Sequence, residues 1–177
     1  SPVVGRIRDT NGDGRIDAQD TPQVVFTAYN GSYFAPSDVY VVDGSTGAQI
    51  LRIRASSFGG AHSQTGLALA DLDMDGVPEI LAINVNGGFS VFRNDGTLKF
   101  QVTGSVPISI SVADLDADGV PEILLGNTVF DNRGQLKFSL ATCGVDESTY
   151  ASKLFPNTAG LQIICGGQIY DSTGRQI

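Results

Sequence analysis

Short runs of β-favouring apolar residues, each closed by a polar Asn, Asp or Gly turn, follow one another along the chain. No helix-period segment longer than two turns competes with them. The pattern is clearest in the middle of the chain. One stretch reads GLALA, an acidic loop, EILAIN, a turn at Asn86-Gly87-Gly88, FSVFR, a turn at Asn94-Asp95-Gly96, then LKFQV. The next reads ISVA, an acidic loop, EILLG, a turn near Asn127, TVFD, a turn at Asn132-Arg133-Gly134, then LKFSL. Gly in such turns supplies the φ > 0 position of a hairpin. The first part of the chain follows the same schedule with VVGRI, QVVFTAY, DVYVVD and AQILRI, and the last with YASKLF, LQIICG, QIYD and RQI.

The pattern predicts an all-β chain of four units, each of four antiparallel strands, over about 1–53, 63–102, 107–140 and 148–177. Four-stranded meanders recurring every ~40 residues mark the blades of a β-propeller. A parallel β-helix has shorter repeats without two hairpins per unit, and a sandwich does not place the same loop after the same strand. Four blades either close as a small ring or form part of a larger one. The last strand has only three residues after its turn, which favours the larger ring.

Charge changes the picture more than composition does. The formal net charge is −8, which excludes nucleic acid and anionic membrane surfaces as partners, because both require basic patches. No apolar run approaches the roughly 18 residues that span a bilayer. Of the 19 acidic residues, 12 stand in three clusters: Asp9, Asp13, Asp17 and Asp20; Asp71, Asp73, Asp75 and Glu79; Asp114, Asp116, Asp118 and Glu122. DLDMDGVPEIL (Asp71 to Leu81) and DLDADGVPEIL (Asp114 to Leu124) differ only at Met74 against Ala117.

The shared pattern is D-x-[DN]-x-D-G-x-x-[DE]. Oxygens at positions 1, 3, 5, 7 and 9 of a tight loop aim at one point, and Gly at position 6 permits the sharp turn. The ligands expected are Asp9, Asn11, Asp13, the Arg15 carbonyl and Asp17, with Asp20 as an extra. In the second loop they are Asp71, Asp73, Asp75, the Val77 carbonyl and Glu79. In the third they are Asp114, Asp116, Asp118, the Val120 carbonyl and Glu122. An all-oxygen, carboxylate-rich set favours a hard cation, and its flexibility favours Ca²⁺ over Mg²⁺. Three copies after the same strand argue against solvated turns that bind nothing. The first loop, DTNGDGRIDAQD, has EF-hand character, but its flanks read as strands.

The strand, the D-x-D-x-D-G-x-P-E loop and the strand that follows resemble the FG-GAP/VCBS-type repeats of integrin-α-like propellers. That resemblance implies Ca²⁺ bound between the first and second strands of certain blades, in proteins that are usually extracellular, whether secreted or at the cell surface. Ala82-Ile83-Asn84 and Gly126-Asn127-Thr128 replace the family's Gly-Ala-Pro element, and Phe155-Pro156-Asn157-Thr158 stands where the fourth unit would carry acids. For extracellular-type sites with Kd around 10⁻⁴–10⁻³ M, millimolar Ca²⁺ stabilises by about 0.4–1.4 kcal/mol per site.

Strand direction puts the acidic loops on one face with the strand three-to-four turns. The longest irregular segments fall on the opposite face. Tyr29, Tyr33 and Phe34 in one, and Phe58 and His62 in the other, are the residues expected either to contact a ligand or to plug the core. Cys143 and Cys165 lack the company a zinc site needs. Both fall on the non-calcium face of adjacent segments, which favours a disulfide over two buried thiols and fits an oxidising compartment. Asn30-Gly31-Ser32 is a glycosylation sequon. His62 is the only histidine and no nucleophile elbow or phosphate loop is present, so no catalytic residue is assigned. The expected function is binding or adhesion to a protein or glycan. The alternatives are the propeller of a secreted polysaccharide-degrading enzyme or a structural spacer in a large adhesin. The blades' own partners would be further blades of a larger propeller or another copy of the chain.

Overall fold

The structure, a computed structural model, describes residues 2–28, 31–32 and 34–177. The strands form four antiparallel sheets in chain order. The first sheet holds β1 (Val3–Gly5), β2 (Gln23–Thr27), β3 (Val39–Asp43) and β4 (Gln49–Ile53). The second holds β5 (Leu67–Ala70), β6 (Glu79–Ile83), β7 (Phe89–Phe92) and β8 (Leu98–Val102). The third holds β9 (Ile110–Ala113), β10 (Glu122–Leu125), β11 (Thr128–Phe130) and β12 (Leu136–Ser139). The fourth holds β13 (Thr149–Ser152), β14 (Gln162–Cys165) and β15 (Gln168–Tyr170). Each sheet is a simple meander, the blade of a propeller. The expected fourth strand of the last blade is not a strand. Gln176 makes one bridge to Tyr170 and the Ile177 N–H bonds the Ile169 carbonyl, a single rung rather than a ladder.

The register explains why each strand is apolar on both sides. Pairing aligns Leu69, Ile80 and Phe92 across one face of the second blade, and Ala68, Leu81, Val91 and Phe100 across the other. Successive side chains point to opposite faces, so the first row packs on the blade before and the second on the blade after. Three separate cores result, one in each gap between neighbouring blades. Sandwiched between two of them, every residue of β6 is buried. The first strands form the inner line, β1 beside β5, β5 beside β9 and β9 beside β13, with no comparable packing of β13 on β1 among the described residues. A register shift recurs between the third and fourth strands of the first three blades, at Val41/Val42, Val91/Phe92 and Val129/Phe130. The turns that follow reach the preceding blade: Asn94 Nδ2 donates to the Ile7 carbonyl at 3.0 Å, and Asn132 Nδ2 to the Leu72 carbonyl at 2.8 Å. Third-to-fourth turns and acidic loops therefore share one face.

Candidate metal centres

Each acidic loop joins the first and second strands of its blade, and its carboxylates first hold the loop itself. In the second blade, Asp71 accepts the N–H groups of Asp75 (3.1 Å) and Gly76 (2.8 Å), and Asp75 accepts that of Val77 (2.8 Å). The third blade repeats this frame: Asp114 accepts Asp118 N–H (3.1 Å) and Gly119 N–H (3.0 Å), and Asp118 accepts Val120 N–H (2.7 Å). A carboxylate oxygen has two acceptor positions, so these bonds leave capacity for a cation. Asp71, Asp73 and Glu79 bring one oxygen each to within 4.8 Å of one another, as do Asp114, Asp116 and Asp118. An oxygen-only donor set at that spacing suits a hard divalent ion. These residues would hold it, and it would supply charge neutralisation to the loop.

Position 9 has a second occupation that the sequence reading missed. Glu79 is buried; its Oε2 accepts the Leu72 N–H at 2.9 Å and its Oε1 pairs with Lys99 Nζ at 2.8 Å. Lys99, on β8, also contacts Asp73. Glu122 repeats the arrangement with Leu115 N–H (2.9 Å) and Lys137 Nζ (2.7 Å) on β12, and Lys137 lies 3.5 Å from Asp116. Burial works against the charge on Lys99, but its hydrogen bonds to Asp73 and Glu79 raise its pKa. For Lys137 the Glu122 bond is the main cause of the rise. The fourth strand thus carries a counter-charge into each of these two loops. The sequence signal was a lysine at the same place in both copies of the run Leu-Lys-Phe.

The first loop differs. Asp9 accepts Gly12 and Gly14 N–H at 2.6 and 2.8 Å, Asn11 Oδ1 accepts Asp13 N–H at 2.9 Å, and Asp13 accepts Arg15 N–H at 2.9 Å. Asp17 Oδ1 accepts Gln19 N–H at 2.8 Å. With Asn11 at position 3, no three of its carboxylates come as close together as in the other loops. Asp20, expected as an extra ligand, is also an internal strut of the loop. Its oxygens accept the N–H groups of Thr10 (2.6 Å), Asn11 (3.3 Å) and Asp17 (2.8 Å). The amides of Asp17 and Thr10 hold its carboxyl below the usual range, and burial only partly opposes them.

The opposite face divides the aromatic candidates. Phe34 is 77% exposed, with its ring 5.9 Å from that of His62. Phe58 is buried in the first core, edge-on to Phe92 at 4.9 Å, so it packs the fold and offers no surface to a ligand. His62 is also buried. Its Nδ1 accepts the Gln64 N–H at 3.3 Å, and burial pushes its pKa down. Tyr29, Tyr33 and the sequon residue Asn30 lie outside the described residues. Cys143 and Cys165 form a disulfide with Cα atoms 5.8 Å apart, tying the link after β12 to the end of β14. A cavity of about 480 Å³, which the sequence did not signal, lies between the second and third blades. Val102, Pro107, Asn127, Phe130, Leu136 and Val145 are among the residues lining it.

Residues 71–125 match the family of FG-GAP-like repeats. No curated protein matches the chain significantly. Among solved structures, the Vibrio cholerae biofilm matrix protein Bap1 superposes with a TM-score of 0.82 at 26% identity. The match covers 99% of this chain and 30% of that one. The Bacillus licheniformis rhamnogalacturonan lyase (TM-score 0.61, 18% identity) and the exotype rhamnogalacturonan lyase YesX (0.60, 20%) each align over 88% of this chain. They align over 28% and 29% of their own length. The two lyases share the fold; the chain spans less than a third of any of the three.

Proposed function

From the FG-GAP-like repeat at residues 71–125, we propose that the chain is a Ca²⁺-stabilised extracellular propeller module that presents a rigid surface to a glycan or protein. The observation that carries the cation is the same hydrogen-bonded loop frame in two blades, each with three acidic oxygens gathered within 4.8 Å. Bap1 is a biofilm matrix protein and the other two neighbours are polysaccharide lyases, which supports an extracellular, glycan-related setting. Binding is favoured over catalysis because His62 is buried and its Nδ1 serves the loop backbone.

The ions act by linkage. Binding only to the folded state at millimolar Ca²⁺ adds about 0.4–1.4 kcal/mol per site for Kd near 10⁻³–10⁻⁴ M. Calorimetry of the chain in EDTA and in millimolar Ca²⁺ tests this. The melting temperature is expected to rise with Ca²⁺, and less in an Asp71→Ala, Asp114→Ala double variant. An equal melting temperature in both buffers overturns the cation assignment. Glycan-array binding retained by the Ca²⁺-loaded chain tests the second half.

A further inference from the structure

Three links carry the chain from one blade to the next, over 54–66, 103–109 and 140–148. Each passes a gap between blades, and in each gap the third strand of the later blade presents an aromatic residue: Phe92, Phe130 and Tyr170. The register places the three alike, since Phe92 pairs with Leu98, Phe130 with Leu136 and Tyr170 with Gln176. Their surroundings differ. Phe92 and Tyr170 are each 1% exposed, whereas Phe130 is only half-buried.

The links account for the difference. In the first gap the link makes a short turn at Ala55–Ser57 and then lays Phe58 edge-on to Phe92 at 4.9 Å. Gln101 Nε2, from the fourth strand of the same blade, donates to the Phe58 carbonyl at 3.0 Å and holds this plug in place. In the last gap Leu140 joins the core around Tyr170, and the Thr142 hydroxyl lies 2.6 Å from the Tyr170 hydroxyl. The middle link is the shortest and carries no aromatic residue. Phe130 there lines the cavity of about 480 Å³, a size within the roughly 300–1,000 Å³ of small-ligand sites. The position of Gln101 is taken by Ser139, because Ser90 pairs with Gln101 as Thr128 pairs with Ser139. Ser139 also lines the cavity.

We propose that this cavity receives an aromatic side chain from a partner polypeptide, in the place that Phe58 fills in the first gap. The ring packs on Phe130, and Ser139 stands where Gln101 holds the Phe58 carbonyl. Among the described residues no charged side chain lines the cavity, so an ionic ligand would lose its hydration without gaining a counter-charge. A pyranose would bring hydroxyls against Val102, Leu125, Phe130 and Leu136, and a hydroxyl buried without a partner is costly. An aromatic ring brings no such group and gains from edge-to-face contact with Phe130. The inference rests on the reading of the chain as a presenting module and names the partner's chemistry. It involves no cation, so it and the calorimetric test fail separately.

A magnetic-resonance titration of the isotope-labelled full chain with the capped peptide ASSFGG, the sequence of residues 55–60, tests it. Saturable shifts are expected at the amides of 103–105, 127–130 and 139, with a Kd of about 0.1–1 mM for a contact of this size. The capped peptide ASSAGG should not saturate. Leu136→Glu, at a position 62% exposed, should weaken binding about tenfold or more by placing a charge in the apolar wall. Ser139→Phe, which fills the cavity from an exposed strand position, should abolish it. If circular dichroism shows one variant unfolded, the other carries the test. No shift at these amides, equal binding of ASSAGG, or folded variants that bind like the wild type each overturn the proposal. Cellohexaose shifting the same amides while ASSFGG does not would assign the cavity to a glycan and overturn it as well.

Discussion

Position four of the acidic loop is Gly12, Met74 and Ala117 in the three copies, and the backbone is left-handed at all three, with φ of 78°, 61° and 64°. In the near-identical pair this is also the only position that varies. The loop dictates its conformation, because the amides beyond it must turn back onto the first Asp. Left-handed backbone costs a residue with a Cβ roughly 1–2 kcal/mol, and Gly returns about 0.4–1 kcal/mol of that through the freer unfolded chain. Ala117→Gly is therefore expected to stabilise the cation-free protein by about 0.5–1 kcal/mol in urea unfolding. Gly119→Ala, at φ 88° with open space around its Cβ position, should lose about 0.5–1 kcal/mol net, the backbone strain less what Ala gains through its stiffer unfolded chain. Gly at position 6 was legible because its φ requirement excludes most residues. The strain at Met74 and Ala117 was not, because neither residue type favours that conformation. Glu79 and Glu122 were legible as acids aimed into the loop. That each also ties a backbone amide to a lysine on the fourth strand depends on a sheet register no local pattern discloses.

The third-to-fourth turns show how an element can be braced without core. Asp43, Asp131 and Asp171 close their strands at the same place, each pairing its N–H across the turn (2.9, 2.8 and 2.9 Å). The second blade has Arg93 there and uses Asp95 within the turn. Asp43 accepts from the hydroxyls of Ser45 (2.6 Å) and Thr46 (2.9 Å) and from both their amides. With the Ser45 hydroxyl foremost, these bonds lower its pKa to about 2. The folded value lies below the unfolded one, so the stabilisation is complete above about pH 4. It fades as pH falls from there toward about 2. Melting temperatures of the wild type and Asp43→Ala should differ clearly at pH 5 and converge near pH 2. A difference that persists at pH 2 would mean that the hydroxyl and amide partners do not discriminate the ionised form. The Asn, Asp and Gly punctuation made these turns legible, and with them the meander. Phe58 was harder to place. Aromatic residues in long loops serve surfaces and cores alike, and here the loop folds back so that the ring meets Phe92. The last strand was overestimated because the β-favouring residues of a three-residue run look the same whether they form a ladder or a single rung.

Blades that touch only their neighbours make stability a sum of blade and interface terms, with the ends the least supported. The second blade is covered on both faces, and its two middle strands, β6 and β7, are buried along their whole length. The fourth blade has one covered face, three strands, and a loop without acids where the others have carboxylates. The Cys143–Cys165 disulfide braces this blade. It closes a 22-residue separation and fastens the link from the third blade to the second strand of the fourth. Closing a loop of that size restricts the unfolded chain by about 3 kcal/mol in the chain-entropy model. Because the tie is confined to one end, its loss should not be shared evenly. Reduction, or a Cys143→Ser, Cys165→Ser double variant, is expected to detach the fourth blade from the cooperative unit. Hydrogen exchange should then lose protection over 149–170 first, while 79–92 keeps it. Uniform loss of protection would instead mean that the interface built on Leu124, Val129, Ile163 and Tyr170 holds the end blade without help from the disulfide.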